Sequence, residues 1–141
     1  MREQLKLENQ LCFPLYAAAR KVTGFYSPHL KPLGITYTQY LVFLVLWEKG
    51  SQTVGDLSFA LHLDSGTLTP VLKKLEAGGY VTRSRSIQDE RIVNISLTDK
   101  GKVLEEKAAE IPACLASSLP FSEKETMELY RLLYRVLEYS E

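Results

Sequence analysis

The sequence predicts a mainly α chain with one small β-hairpin, an α+β class. Three observations carry this. Apolar residues recur at spacings of three and four through most of residues 5–77 and again after residue 98, the period of helices packed along one side. One segment, Arg91–Leu97, alternates with period two. The length of 141 residues fits one domain.

The elements follow in order. Residues 5–26 read as a helix with Leu11, Leu15, Ala18 and Val22 on one side, ending at Ser27 because Pro28 follows. SPHLKPLG reads as a loop. Thr36 with Gln39 forms a capping-box pattern that opens a second helix running to about Lys49, apolar nearly all round and therefore buried. Thr53 with Asp56 marks another start, with Val54, Leu57, Ala60 and Leu61 as its inner stripe. After a break at His62–Asp64, Ser65 is expected to cap a helix whose Leu68, Val71, Leu72 and Leu75 face inward. Gly78 and Gly79 end it. Tyr80–Arg85 and Arg91–Leu97 pair as a hairpin around the polar tip SIQDE. Thr98-Asp99 starts a helix that ends before Pro112 or kinks slightly there, and Ser122 with Glu125 caps the last one.

Composition excludes several classes. Gly 8 and Pro 6 are ordinary, so a disordered chain is not expected. Lys+Arg 17 equal Asp+Glu 17, so there is no general basic coat and an anion-binding surface has to be local. The longest apolar run, Tyr40–Trp47, has eight residues, against roughly 20 for a membrane-spanning helix. The opening MREQLKLENQ lacks the apolar core of a signal peptide. Cys12 and Cys114 cannot build a disulfide framework, and with His29 and His62 they show no metal-ligand spacing. A soluble cytoplasmic protein with reduced thiols, no metal and no cofactor is expected.

Two short helices joined by about three residues form a helix-turn-helix, and the hairpin after them makes a winged helix. In that arrangement the second helix enters the major groove of double-stranded DNA and the hairpin reaches the minor groove. The outward face of the second helix shows Ser65, Thr69, Lys73 and Glu76, flanked by Thr67, Pro70 and Lys74. Short hydroxyls near a helix N-terminus can approach base edges, and lysines suit phosphates. Pro70 lies inside this helix, at a usual cost of about 3 kcal/mol or more; its ring faces the carbonyl of Gly66. In the wing, Arg83, Arg85 and Arg91 stand against Asp89 and Glu90, and the spacing of Asp89 and Arg91 allows an ion pair across the tip. In the last helix, Glu128, Arg131, Arg135 and Glu138 make one narrow polar stripe. The remaining apolar arc is wider than one small core covers, which points to a two-fold homodimer on a palindromic operator.

The segments LENQLCFPLY, ITYTQYLVFLVLWE, LDSGTLTPVLKKLE and DERIVNISLTDKG resemble the MarR family of winged-helix repressors, and within it the organic hydroperoxide resistance regulators. Asp89, Arg91, Leu97, Thr98 and Gly101 match the general family mark; LDSGTLTP and QLCF match the subgroup. The resemblance implies one domain, 1–141, with residues 36–98 as the DNA-binding part and 1–35 and 99–141 as dimerisation helices. It implies that Cys12 is the thiol oxidised by organic hydroperoxides, upon which the dimer leaves its operator. Tyr26 and Tyr37 match the tyrosines that hydrogen-bond this thiol across the subunit interface, and Tyr16 belongs to the same pocket. Without the resemblance, a lone cysteine among apolar helical residues reads as core. Pro14 departs from the pattern: it either starts the helix beside Cys12, which favours the thiolate, or kinks it. Cys114 lies where two-cysteine members carry a resolving thiol, about one turn early, and reads as either that thiol or a buried bystander.

Rival readings are a regulator released by a small aromatic ligand, a peroxidase using Cys12 in turnover, and an aspartic peptidase through Asp64-Ser65-Gly66. The last requires strand-rich surroundings, whereas the flanks here are helical.

Overall fold

Capping side chains set most helix borders. In the computed structural model, which describes residues 1–139, three capping boxes form: Thr36 with Gln39, Thr53 with Asp56, and Ser122 with Glu125. They open α3 (Tyr37–Lys49), α4 (Val54–Leu61) and α8 (Glu123–Glu138). The other elements are α1 (Cys12–Gly24), α2 (Ser27–Leu30), β1 (Gln52–Thr53), α5 (Ser65–Ala77), β2 (Val81–Arg85), β3 (Val93–Leu97), α6 (Asp99–Ala108) and α7 (Ile111–Ser118). The mainly helical fold with a small antiparallel sheet is the one the sequence predicts.

Several local expectations are corrected. The expected helix over residues 5–26 begins only at Cys12, behind two 3-10 turns at Glu3–Leu5 and Leu7–Asn9. Pro14 has no N–H for the carbonyl of Gln10, so the helix cannot extend back through that residue. The Gln10 amide instead donates to the carbonyls of Gln4 and Lys6. SPHLKPLG is not a loop: Pro28 and Pro32 sit in the first turns of α2 and of a 3-10 turn at Lys31–Leu33, where a missing N–H costs nothing. Gly34, at φ 71°, then reverses the chain. The sheet has three strands in the order β1-β3-β2, because two residues before α4 add to the hairpin. Val81 pairs with Leu97 and Arg85 with Val93; Gln52 pairs with Ile95. Asp64, not Ser65, caps α5. The helix from Asp99 stops at Ala108, before Pro112 as expected, but Pro112 is then the second residue of a separate helix that was not expected.

The chain divides into two compact units, residues 1–111 and 112–141. The core of the first is built on α3, whose Tyr40, Val42, Phe43, Val45 and Leu46 are buried together with Leu57, Leu68, Leu72, Leu75, Val81, Ile95 and Leu104. Recognition-type helix, wing and α6 thus share one core. Two hydrogen bonds to backbone carbonyls lock them: the Trp47 indole donates to the carbonyl of Gly101 at 3.0 Å, and the Thr98 N–H to that of Tyr80 at 3.0 Å. A Cβ on Gly101 would lie 2.3 Å from the Tyr80 carbonyl oxygen, so only glycine fits there. In the second unit, α8 carries no buried residue.

Candidate nucleic-acid interface and sensor thiol

The turn between α4 and α5 is tight. His62 takes the left-handed conformation at φ 53° and closes α4, its N–H bonding to the carbonyl of Ser58. The Ser58 hydroxyl donates to the carbonyl of Leu63. Asp64 then accepts from the N–H of Thr67 at 2.7 Å. That bond holds its carboxyl below the usual carboxylate range. This removes the peptidase reading: Asp64 is an exposed helix cap, and Ser65-Gly66 are the first residues of a helix.

Leu68, Leu72 and Leu75 anchor α5, with Val71 half-buried. The opposite side leaves Ser65, Thr67, Pro70, Lys73 and Lys74 exposed. Thr69 is half-buried and spends its hydroxyl proton on the carbonyl of Ser65 at 2.7 Å. Its oxygen remains an acceptor, so a contact to a base edge would have to be donated to it. The helix runs unbroken through Pro70, and the Gly66 carbonyl loses its helical donor in an exposed first turn, where water reaches it.

The wing arginines divide their tasks. Arg83 is half-buried, with its guanidinium 3.8 Å from the Glu76 carboxylate, so it ties β2 to α5. Its Nε is buried without a partner. Arg85 donates to the carbonyl of Glu90 at 2.8 Å and staples the hairpin. Arg91 grips Asp89 through two bonds of 3.1 Å and keeps that carboxyl low, the ion pair expected from the spacing. The Arg91 side chain is otherwise 90% accessible.

Cys12 is exposed and is the first residue of α1. Pro14 is the third, a position that needs no N–H, so it starts the helix rather than kinking it. Tyr16, one turn on, is exposed and lies under the Arg20 guanidinium at 5.5 Å. Tyr26 and Tyr37 come together, ring centres 4.8 Å apart, and Tyr40 joins them at 5.6 and 6.4 Å. Burial raises the titration of all three phenols above its ordinary value, so they are proton donors at neutral pH. Tyr40 escaped the sequence reading, although its i, i+3 spacing from Tyr37 was the available signal. Tyr16 is not part of this cluster. Cys114 is half-buried on α7, its carbonyl taken by the hydroxyls of Ser117 and Ser118. Among the described residues, no acidic, histidine and cysteine side chains group into a metal site, and no helix is long and apolar enough to cross a membrane.

The family of SarA/Rot transcriptional regulators matches residues 24–108, from before the tyrosine cluster to the end of α6. The organic hydroperoxide resistance transcriptional regulator of Bacillus subtilis (strain 168) is 49% identical over 136 residues, 96% of this chain and 92% of that protein. The chain belongs to the MarR/SarA family of winged-helix transcriptional regulators. It is a DNA-binding regulator rather than an enzyme. Two solved structures of AbfR, a protein of Staphylococcus epidermidis, are 43% identical. Reduced AbfR bound to DNA has a TM-score of 0.79, covering 96% of this regulator and 94% of that chain. Disulfide-formed AbfR has a TM-score of 0.68, covering 96% of each.

Proposed function

We propose that this regulator is a cytoplasmic homodimeric repressor that holds a palindromic operator while Cys12 is reduced and releases it when an organic hydroperoxide oxidises that thiol. The observation that carries the reading is the exposed Cys12 at the first position of α1 in a chain so similar to the B. subtilis regulator. Residues 36–98 bind DNA, with Ser65, Thr67 and Thr69 toward bases and Lys73 and Lys74 toward phosphates. Arg83, Arg85, Asp89 and Arg91 shape and aim the wing. Residues 1–35 and 99–141 assemble the dimer.

Cys12 reacts as the thiolate, the nucleophilic form of a cysteine. Its sulfur attacks the outer peroxide oxygen; an S–O bond forms, the O–O bond breaks, and the alkoxide takes a proton and leaves as alcohol. Cys12 is then a sulfenic acid. Phenols of Tyr26 and Tyr37 from the other subunit donate hydrogen bonds to the thiolate, which their protonated state at neutral pH permits. Tyr16 borders the same thiol. If Cys114 resolves the sulfenic acid, its sulfur attacks the Cys12 sulfur in a second step; an S–S bond forms, the S–O bond breaks, and the hydroxide leaves with the thiol proton as water.

Fluorescence anisotropy of a labelled palindromic duplex, recovered by selection from random DNA, tests this. About one equivalent of cumene hydroperoxide per subunit should release the DNA, and added thiol should restore binding. Binding indifferent to peroxide overturns the reading. The Cys114→Ser protein separates the two fates: loss of a disulfide-linked dimer assigns the resolving role, and an unchanged response makes Cys114 a bystander. A second reading, release by a small aromatic ligand, is favoured by an open cavity of about 350 Å³ lined by Leu33, Tyr80, Lys100, Val103 and Lys107. Release by such a ligand without peroxide would select it.

A further inference from the structure

We propose that Ile87, at the tip of the wing, is an apolar wedge that packs on the floor of the DNA minor groove and selects A·T over G·C there. The proposal rests on the DNA-binding reading above and adds a specificity determinant to it.

The β2–β3 ladder ends at Arg85–Val93, and residues 86–92 form the tip. That tip is bonded to itself. The Ser86 N–H donates to the carbonyl of Ile92 at 2.8 Å, and the Ile92 N–H to that of Asp89 at 3.0 Å. The Ser86 hydroxyl accepts from the N–H groups of Gln88 and Asp89 at 3.2 and 3.4 Å. The Arg85 bond to Glu90 and the Arg91–Asp89 pair close the sides. Within the tip, Ile87 is 103% accessible, with no packing at all, and Ile92 at its C-terminal end is 41% accessible.

A single exposed apolar residue is ordinary on a surface. Here its position gives it meaning. Arg85 and Arg91 are balanced by Asp89 and Glu90, so net charge does not draw the tip to phosphates. Beside the exposed polar side chains of Gln88 and Glu90, the tip presents an aliphatic, β-branched side chain with few rotamers to lose on contact. A rigid hairpin that follows a major-groove helix delivers its tip to the neighbouring minor groove. Apolar side chains are a known means of engaging that groove. Its floor at A·T pairs carries only acceptors, whereas guanine projects a 2-amino group. Methyl groups pressed against that amine would strip its water without replacing the hydrogen bond.

The test uses the reduced full-length protein and the selected duplex described above. Base pairs flanking the major-groove contacts are changed one at a time to G·C or to inosine·C, which lacks the 2-amino group but keeps guanine's major-groove edge. G·C at the wing step should weaken wild-type binding about fivefold or more, and inosine·C should restore it. Ile87→Ser should weaken binding to the A·T duplex and bring A·T and G·C to within about twofold. Ile87→Val should keep most of the preference. Equal wild-type affinity for G·C and inosine·C at every flanking pair overturns the wedge, without needing any variant. So does an Ile87→Ser protein with undiminished discrimination; in that case the exposed side chain serves some other partner. Both results leave the DNA-binding reading standing, whereas failure to bind any duplex removes the reading and the wedge together.

Discussion

Helix α3 buries Tyr40, Val42, Phe43, Val45 and Leu46, while α8, three residues longer, buries none. Both are rich in large apolar side chains. On α8, Met127, Leu129, Tyr130, Leu132, Leu133, Tyr134, Val136 and Leu137 all remain accessible. Its few bonds are local: Arg131 grips Glu128 at 2.6 and 3.1 Å, and Tyr130 lies 4.6 Å from Tyr134. Apolar content shows that a helix needs to be covered; it does not show by what. For α3 the cover is α2, α4, α5 and α6 of the same chain. For α8 the cover proposed here is a second copy.

The contrast can be broken at several points. The largest effect is expected at Phe43, fully buried and stacked on Trp47 at 5.2 Å. Phe43→Ala should lower the unfolding free energy by about 3–5 kcal/mol, read by urea denaturation, because it removes contacts and leaves a cavity. Leu133→Asp on α8 should instead change assembly. Sedimentation should show a monomer, and binding to a palindromic duplex should be lost. A Leu133→Asp protein that stays dimeric would show that this face is not the interface. A smaller effect is expected at the caps. Thr36→Ala should cost about 1 kcal/mol by removing the side-chain acceptor for the Gln39 N–H.

The smallest effect is the pH dependence. Asp56, Asp64, Asp89, Glu125 and Glu128 all titrate below their ordinary values of 3.8 and 4.5, chiefly through hydrogen bonds to caps and arginines. A depressed folded pKa gives stability that is complete above the unfolded value and is lost as pH falls through the folded one. The urea midpoint should therefore hold steady above about pH 5 and decline below about pH 4. Four of these carboxylates are exposed and Asp89 is half-buried at the surface, so solvent screening keeps the decline shallow.

The elements that were legible in the sequence are those with a chemical signal at fixed spacing. The capping boxes at Thr36, Thr53 and Ser122, the period-two segment ending in Leu97, and the Asp89–Arg91 pair all read directly. What was missed lacked such a signal or carried a misleading one. β1 is two residues long, too short for any period. Pro28 and Pro112 signal helix ends, yet both stand in first turns, where proline is tolerated. Asp64 and Ser65 are both good caps, and only the backbone decides between them. Arg83 looked like its neighbours in the wing, but Glu76 lies across the fold rather than along the chain. Cys12 had no signal of its own; the family resemblance alone singled it out, and its place at a helix start followed from Pro14 only once the structure was in view.

The central claim, that oxidation of Cys12 alone operates the switch, is tested most directly by the Cys12→Ser protein in the anisotropy assay. The substitution leaves α5 and the wing untouched and replaces the thiol by a hydroxyl that peroxide does not oxidise. The account predicts wild-type affinity for the duplex before peroxide and no release after it, at concentrations that free the parent protein. Release of the Cys12→Ser protein at the same peroxide concentration would contradict it.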